Sequence, residues 1–317
     1  MTDATRDTDP ADVDVFEEPD LETSTTDVGT WRSLAPTGLF DVAAADRFLR
    51  REAATTVAVV GERGGGKTTL ISAIYERLQR GRFAGRAFAG SRTMSGFEER
   101  SFLSRAASGR SRPDTPRTSG QAPLNFFHLA LSPEERPVDR INLLITERAG
   151  EHYRKVRDAP GEVHNLPELR QAAHLVFVID GGRMADDVLR HELQASVRGL
   201  IRLVRDQGLA STSRVEVVAT KMDLLRAEGA EAALKQLADF QQRLTDSFAV
   251  DFAGFDHFEV TARDPFGAIE VAEGVDKLLA LWCESSVAPP LPEPSLPPLM
   301  TPLDRYLTRA VAQEVTH

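Results

Sequence analysis

Several residue types that mark other classes of protein are scarce in this chain of 317 residues. It has one cysteine, Cys283, so it cannot form an internal disulfide, and this fits a reducing compartment. No apolar run approaches the ~20 residues that a membrane-spanning helix needs. The acidic N-terminus also has no apolar core of the kind that signal peptides carry. Because 41% of the residues are nevertheless hydrophobic, we expect a soluble, cytoplasmic, globular protein.

Negative charge is concentrated at one end of the chain. The formal net charge is −10, from 48 acidic and 38 basic residues. Residues 1–30 contain ten acidic residues and one basic residue, which leaves 38 acidic and 37 basic residues in 31–317. A nearly neutral body is not a general polyanion-binding surface, and the acidic leader would repel nucleic acid and anionic lipid. The charge pattern therefore predicts no nucleic-acid partner.

The composition also divides the chain into three segments. Residues 1–30 have few large apolar side chains and are predicted to be a disordered acidic leader. Seven of the 18 prolines lie in 288–302, which is typical of an extended connector, and a short amphipathic helix is predicted after it. We therefore predict one domain at 31–286 and a proline-rich linker with a short C-terminal helix at 287–317.

Within the central segment, apolar runs alternate with longer amphipathic stretches. Two of the runs flank a short polar turn, as in a hairpin. This pattern predicts a three-layer α/β fold, in which a mostly parallel six-stranded sheet has one antiparallel edge strand. The strands are predicted at 55–60, 124–131, 140–146, 174–180, 214–220 and 257–262, and the main helices at 67–79, 185–205, 231–248 and 268–283.

A glycine-rich motif, GERGGGKT, joins the first of these strands to the first helix. Glycines let backbone N–H groups curl around phosphates, and the helix N-terminus adds its dipole. Lys67 is predicted to pair with the β- and γ-phosphates, and the Thr68 hydroxyl to bind Mg²⁺. The predicted phosphate-binding residues are Gly61, Glu62, Arg63, Gly64, Gly65, Gly66, Lys67, Thr68 and Thr69.

Two further strand ends carry a pattern that suits a guanine base. Thr220, Lys221 and Asp223 belong to the sequence TKMD at the end of the fifth predicted strand. A carboxylate there can accept two hydrogen bonds from guanine, which adenine cannot supply. The next strand ends in Thr261, Ala262 and Arg263, where a second loop contacting the base is expected.

Together these motifs resemble those of the translation-factor-like class of P-loop GTPases, which carry GxxxxGK[ST], DxxG, [NT]KxD and a short SAK-like loop in that order. The chain is more specifically similar to the double-GTPase families found in bacterial conflict and signalling gene clusters. That likeness is carried by the stretches GGGKTTLISAIYERLQRG, FAGSRTMSGFEER, ERAGEHY and Arg117-Thr118 before the strand FFHLAL. The resemblance implies GTP and GDP as ligands, Mg²⁺, and a protein effector or second GTPase as partner.

Three residues depart from the motifs of that class. Glu147 stands where the aspartate of DxxG is expected, although either carboxylate can hold Mg²⁺ through water. Glu151 takes the place of the glutamine that orients water in compact GTPases, and an anion there predicts slow hydrolysis. Arg63 is either an arginine that acts in cis or a solvated side chain. The resemblance also implies that the main-chain N–H of Gly150 contacts the γ-phosphate.

A long connection at about 81–121 is predicted to be an enlarged first switch. It carries eight arginines and three acidic residues. Thr118 is the preferred γ-phosphate and Mg²⁺ sensor and Thr115 is the alternative, because a sensor hydroxyl should lie just before the second strand. The arginines are either a plain solvated surface or the docking site of the acidic leader. A second long connection, at 150–173, is predicted to be the second switch.

These observations predict a Mg²⁺-dependent, slowly hydrolysing GTPase switch. Two alternatives remain at this level. One is a scaffold that binds GTP without turnover, since Glu147, Glu151 and Arg63 all depart from the active pattern. The other is a P-loop ATPase or small-molecule kinase, which the TKMD motif disfavours.

Overall fold

The protein is built around one central β-sheet of eight strands. The computed structural model describes residues 38–104, 123–135, 139–209, 211–262 and 272–284. The strands follow the order β1-β4-β5-β2-β6-β7-β8, and β3 also pairs with β4. They are β1 (Phe40–Asp41), β2 (Thr55–Val60), β3 (Arg86–Gly90), β4 (Asn125–Pro133), β5 (Ile141–Glu147), β6 (His174–Asp180), β7 (Arg214–Thr220) and β8 (Gly254–Glu259).

Five of the strands, β5, β2, β6, β7 and β8, run parallel to one another. Helices follow these strands along the chain, as parallel connections require. The helices are α1 (Val42–Leu49), α2 (Lys67–Gln79), α3 (Met94–Ser104), α4 (Gly150–Asp158), α5 (Glu168–Gln171), α6 (Gly181–Ala185), α7 (Asp187–Asp206), α8 (Met222–Leu225), α9 (Glu231–Phe248) and α10 (Val275–Trp282), with 3-10 turns at Pro160–Asn165 and Ala249–Asp251.

Both faces of the sheet are covered by apolar cores. Tyr153 and Leu200 belong to the core that α4, α7 and α9 form on one face. Ile74 and Trp282 belong to the core that α2 and α10 form on the other. Burial on both faces explains why β2, β5 and β6 are mainly apolar runs. The predicted three-layer α/β fold is confirmed.

The antiparallel side of the sheet is larger than the sequence pattern predicts. The predicted hairpin is confirmed, since β4 pairs antiparallel with β5. However, β1 and β3 also pair antiparallel with β4. The sheet therefore has eight strands instead of the six predicted. Its antiparallel side consists of three strands, β4, β1 and β3, instead of one. The pattern missed them because β1 has two residues and β3, RAFAG, contains small residues and a weak apolar alternation.

The two predicted switch connections contain secondary structure of their own. The first holds β3 and α3, and the second holds α4, the Pro160–Asn165 turn and α5. Thr115, Thr118 and Arg263 lie outside the described residues, as do the leader at 1–30 and the segment 287–317. Within the described ranges, no helix is both long and apolar enough to cross a membrane.

Candidate functional site

The glycine-rich motif forms a closed loop between β2 and α2. Gly64 and Gly66 have φ angles of 80° and 90°, a region that side-chain-bearing residues rarely adopt. Gly66 caps α2, and the Lys67 side chain folds back across the loop to donate to the carbonyls of Gly61 (2.8 Å) and Glu62 (3.0 Å). The loop and the N-terminus of α2, with the positive end of its dipole, therefore form an arrangement that suits an anion.

The Lys67 ammonium is electrostatically prepared for a negatively charged ligand. Burial lowers the pKa of Lys67 to about 8, against the raising effect of the nearby carboxylates of Glu151, Glu62 and Glu147. An anionic ligand would reverse this shift, because opposite charge favours the protonated form. The loop thus gains most from a ligand that brings several negative charges.

A buried hydrogen bond joins this loop to the TKMD motif. The Thr220 hydroxyl, at the end of β7, donates to the Gly65 carbonyl at 2.8 Å and is also 3.3 Å from the carbonyl oxygen of Ile179. Gly65 and Thr220 are 155 residues apart in sequence. Because the parallel strands end at one edge of the sheet, the two motifs lie side by side.

The remaining base-motif residues follow β7 and β8 at the same edge. Lys221 has a left-handed backbone, with φ 55°, and its Nζ lies 2.9 Å from Oδ2 of Asp180 at the end of β6. Asp223 lies in the first turn of α8. Thr261 and Ala262, which follow β8, are buried, and the Thr261 N–H donates to the Glu273 carbonyl. This edge thus carries the carboxylates of Asp180 and Asp223.

The start of α4 packs directly against the phosphate loop. A Cβ added to Gly150 would lie 2.3 Å from the backbone nitrogen of Arg63 and 2.9 Å from the Gly61 carbonyl oxygen. No side chain fits in that space, so the glycine is required for this close approach. The next residue, Glu151, forms an exposed ion pair with Arg63 at 3.7 Å. Two of the departures from the family pattern therefore pair with each other at the surface.

Glu147, the candidate metal ligand, is held by an arginine of the first connection. Arg100 of α3 donates from Nε to Oε1 (3.3 Å) and from Nη2 to Oε2 (3.0 Å) of Glu147. A carboxylate has about four acceptor positions, so Glu147 can still accept hydrogen bonds from a metal-bound water. The oxygens of Glu147 and Thr68 therefore suit Mg²⁺. In the part of the chain that the structure describes, no three His, Cys, Asp or Glu side chains converge on a metal position.

The Glu62 side chain forms a largely buried network that the sequence pattern did not reveal. Its carboxylate accepts from Arg157 of α4 at 3.0 Å, from Ser196 of α7 at 2.5 Å and from Arg183 of α6. Burial pushes the pKa of Glu62 up, but the hydrogen bonds from Ser196 and Arg183 and the charges of Arg183 and Arg157 hold it below its usual value. The phosphate loop is thereby fastened to the second connection.

A second buried ion pair anchors the DxxG-like segment itself. Arg148 pairs with Glu168 of α5, Nε to Oε1 at 2.6 Å, and the Tyr153 hydroxyl donates to the same carboxylate. Burial raises the pKa of Glu168 even though the Arg148 guanidinium opposes that effect. Both ends of α4 are therefore attached to the body of the protein. Nothing in the hydrophobic periodicity indicates these partners, because they are 15 to 20 residues apart on different elements of the second connection.

Comparison with known proteins agrees with this arrangement. A family model described as Double-GTPase 2 matches residues 55–283, which include all the described site residues. Among solved structures, the chain is similar to a bacterial selenocysteine-specific elongation factor at 17% identity and a TM-score of 0.35. The match covers 67% of this chain and 26% of the elongation factor. No curated protein matches the chain.

Proposed function

Because the chain belongs to the Double-GTPase 2 family, we propose that it is a Mg²⁺-dependent switch that binds GTP, hydrolyses it slowly and acts through a protein effector. The family resemblance supports a bacterial signalling or conflict system as its setting, with a second GTPase as one form of partner. The observation that carries the proposal is the Thr220–Gly65 hydrogen bond, which joins the phosphate loop to the base motif.

Each part of the nucleotide has a candidate group at this edge. The N–H groups of the loop and the Lys67 ammonium would hold the β- and γ-phosphates, and the Gly150 N–H would contact the γ-phosphate. The Asp223 carboxylate would accept two hydrogen bonds from guanine. Thr261 and Ala262, which follow β8, would belong to the second loop that contacts the base. Thr68 and Glu147 would hold Mg²⁺, together with Thr118. A bound Mg²⁺ neutralises charge that develops on the phosphates during transfer to water.

Base specificity is the sharpest test of this proposal. Asp223→Asn should lower GTP affinity roughly a hundredfold or more, since two hydrogen bonds to a charged acceptor are lost. The same variant should bind xanthosine triphosphate better than GTP, because its amide can donate to the extra oxygen of xanthine. Fluorescent nucleotide displacement measures both affinities. ATP that competes as well as GTP against the wild-type protein would overturn the guanine assignment and favour an ATPase or small-molecule kinase.

A matched control is available on α9. Asp239 is exposed there, so Asp239→Asn makes the same chemical change on the outer side of a helix. Its GTP preference should equal that of the wild-type protein. A shift as large as that of Asp223→Asn would mean that the base preference reflects general charge rather than a contact.

Slow turnover follows from the residue that would orient the attacking water. The carboxylate of Glu151 faces Arg63 and replaces an amide that could both donate and accept hydrogen bonds. We expect a single-turnover hydrolysis rate well below ~1 s⁻¹ without a partner, as in other unassisted switches. A faster rate would contradict this part of the proposal.

A scaffold that binds GTP without turnover is the second candidate. It is favoured by the attachment of α4 at both ends, through Arg148–Glu168 and Arg157–Glu62. A helix held in this way would respond little to the γ-phosphate. Phosphate release separates the two functions: a slow release that depends on Mg²⁺ supports the switch, whereas bound GTP that stays intact over many hours supports the scaffold.

A further inference from the structure

Arg100 lies beside the candidate metal site on a helix that is fixed to the body of the domain. Phe97, one turn earlier on α3, is fully buried between Tyr75 of α2 and Phe127 of β4, with ring centroids 4.5 Å from each. The Tyr75 hydroxyl also donates to Glu98 at 2.6 Å. The phosphate loop leads directly into α2, which begins at Lys67. The contacts between α2 and α3 therefore fix the position of α3 relative to the loop. Arg100 is therefore placed by packing and not by chance contact.

The guanidinium of Arg100 contacts the carboxylate of Glu147 through two nitrogens. The Glu147 side chain is 3% exposed and the Arg100 side chain 19% exposed, so water screens this pair weakly. A third contact, from Nη1 to the exposed Glu99 at 2.7 Å, orients the guanidinium further. Paired donors in this geometry are among the stronger ionic contacts in proteins. Glu147 therefore already has a cationic partner in Arg100.

This pairing has a direct consequence for a cation at the phosphate loop. Glu147 ends β5, which runs parallel beside β2, the strand that leads into the phosphate loop. Gly150, three residues later, lies directly against that loop, so the Glu147 carboxylate stands at the same edge as the phosphate site. Because the positively charged Arg100 guanidinium already pairs with Glu147, the carboxylate attracts a second cation less strongly. The same guanidinium also limits the orientations of the longer glutamate side chain.

We infer that Arg100 is a positioning residue that sets the Mg²⁺ requirement of the nucleotide site by competing for Glu147. The inference rests on the proposed function, because it assigns Glu147 to the metal. It gives the first connection a role that does not depend on the acidic leader. It also distinguishes Arg100 from Arg63, whose guanidinium is exposed and pairs with Glu151.

The test is the Mg²⁺ dependence of nucleotide binding, which needs no turnover. Fluorescent GDP is titrated against the full chain at a series of free Mg²⁺ concentrations, and the Mg²⁺ concentration of half-maximal binding is recorded. Arg100→Gln removes the charge and keeps most of the side-chain stem, so the half-maximal concentration should fall about tenfold. Arg100→Lys restores a positive charge and should return the value most of the way to that of the wild-type protein.

Two controls separate this role from a general effect on folding. Arg92 precedes α3, pairs with Glu52 and lies over the Phe48 ring, so Arg92→Gln removes an arginine from the same connection without touching Glu147. It should leave the Mg²⁺ dependence unchanged. If Arg100 acts through Glu147, then Arg100→Gln should have no further effect in a Glu147→Gln background. Thermal unfolding of the Glu147→Gln variant is measured alongside to check that it is folded.

The outcomes are distinct. An unchanged half-maximal Mg²⁺ concentration in Arg100→Gln, with tight nucleotide binding retained, overturns the inference and leaves the proposed function standing. An equal effect of Arg100→Gln with and without Glu147 also overturns it. Failure of the wild-type protein to bind guanine nucleotide at any Mg²⁺ concentration overturns both. A tenfold fall that Glu147→Gln abolishes supports the inference.

Discussion

The Glu62 network makes a strong prediction about stability. Glu62→Gln keeps the shape of the side chain but replaces one carboxylate oxygen by an NH₂ group. In the wild-type protein, Oε1 accepts from Arg157 and Ser196, and Oε2 accepts from Arg183. The variant can keep the first two hydrogen bonds in weaker form. It loses the third, and it places two donors, the new NH₂ group and Arg183, against each other.

The size of the effect follows from burial. The Glu62 side chain is 13% exposed, and those of Arg157 and Arg183 are 19% and 18% exposed, so water replaces the lost contacts only in part. A hydrogen bond to a charged group contributes ~1.5–3 kcal/mol, and leaving a buried charge without its partner adds to the loss. We expect the free energy of unfolding to fall by about 2–3 kcal/mol. For a domain of this size, this lowers the Tm by roughly 5–10 °C.

Glu192→Gln is the matched control on the same surface. Glu192 pairs with Arg154 at 3.7 Å and Arg183 at 3.6 Å, but its side chain is half exposed. Exposed pairs of this length contribute ~0–1 kcal/mol, so this variant should be close to the wild-type protein. Urea unfolding of both variants, followed by circular dichroism, measures the difference. A Glu62→Gln loss no larger than that of Glu192→Gln would refute the reasoning.

The pH dependence gives an independent check with a defined sign. The folded protein holds the pKa of Glu62 below its usual value of 4.5. The ionised carboxylate therefore contributes its full stabilisation above that value, and the contribution is lost as the pH falls through the folded pKa. The difference between the wild-type protein and Glu62→Gln should shrink in strongly acidic solution. A difference that grew on acidification would contradict the assigned contacts.

Two further predictions concern the phosphate site. The pKa of Lys67 is about 8 without ligand, and a bound anion raises it, so nucleotide affinity should fall above pH 8 by up to about tenfold per pH unit. Calorimetry in two buffers at pH 8 should detect proton uptake on nucleotide binding. Equal affinity from pH 7 to 9.5 would contradict the assignment of Lys67 to the phosphates. Gly150→Ala should cost ~1–3 kcal/mol of unfolding free energy and weaken GTP binding, because its Cβ meets the Arg63 backbone. Gly161→Ala, where a Cβ meets nothing within 4 Å, should do neither, and equal losses would exclude the steric explanation.

Local patterns were sufficient for most of the elements that position the site. The runs at 55–60, 174–180 and 214–220 coincide with β2, β6 and β7, because strands buried on both faces must be continuously apolar. The helix predicted at 67–79 is α2 as observed. The last strand was predicted three residues too late, at 257–262 instead of Gly254–Glu259. Its N-terminal half, GFD, has no continuous apolar run to mark where it starts.

The sequence by itself determined the α/β class, the phosphate loop and the order of the nucleotide motifs, because each depends on residues that are close together in the chain. Only the tertiary structure decided which side chains neutralise one another. Arg100 and Glu147 are 47 residues apart, Arg157 and Glu62 are 95 apart, and Ser196 and Glu62 are 134 apart. In a chain with 33 arginines, residue type alone cannot select these pairs. The packing of the helices on the sheet decides which charges meet, because burying a charge without a partner of opposite sign is strongly unfavourable.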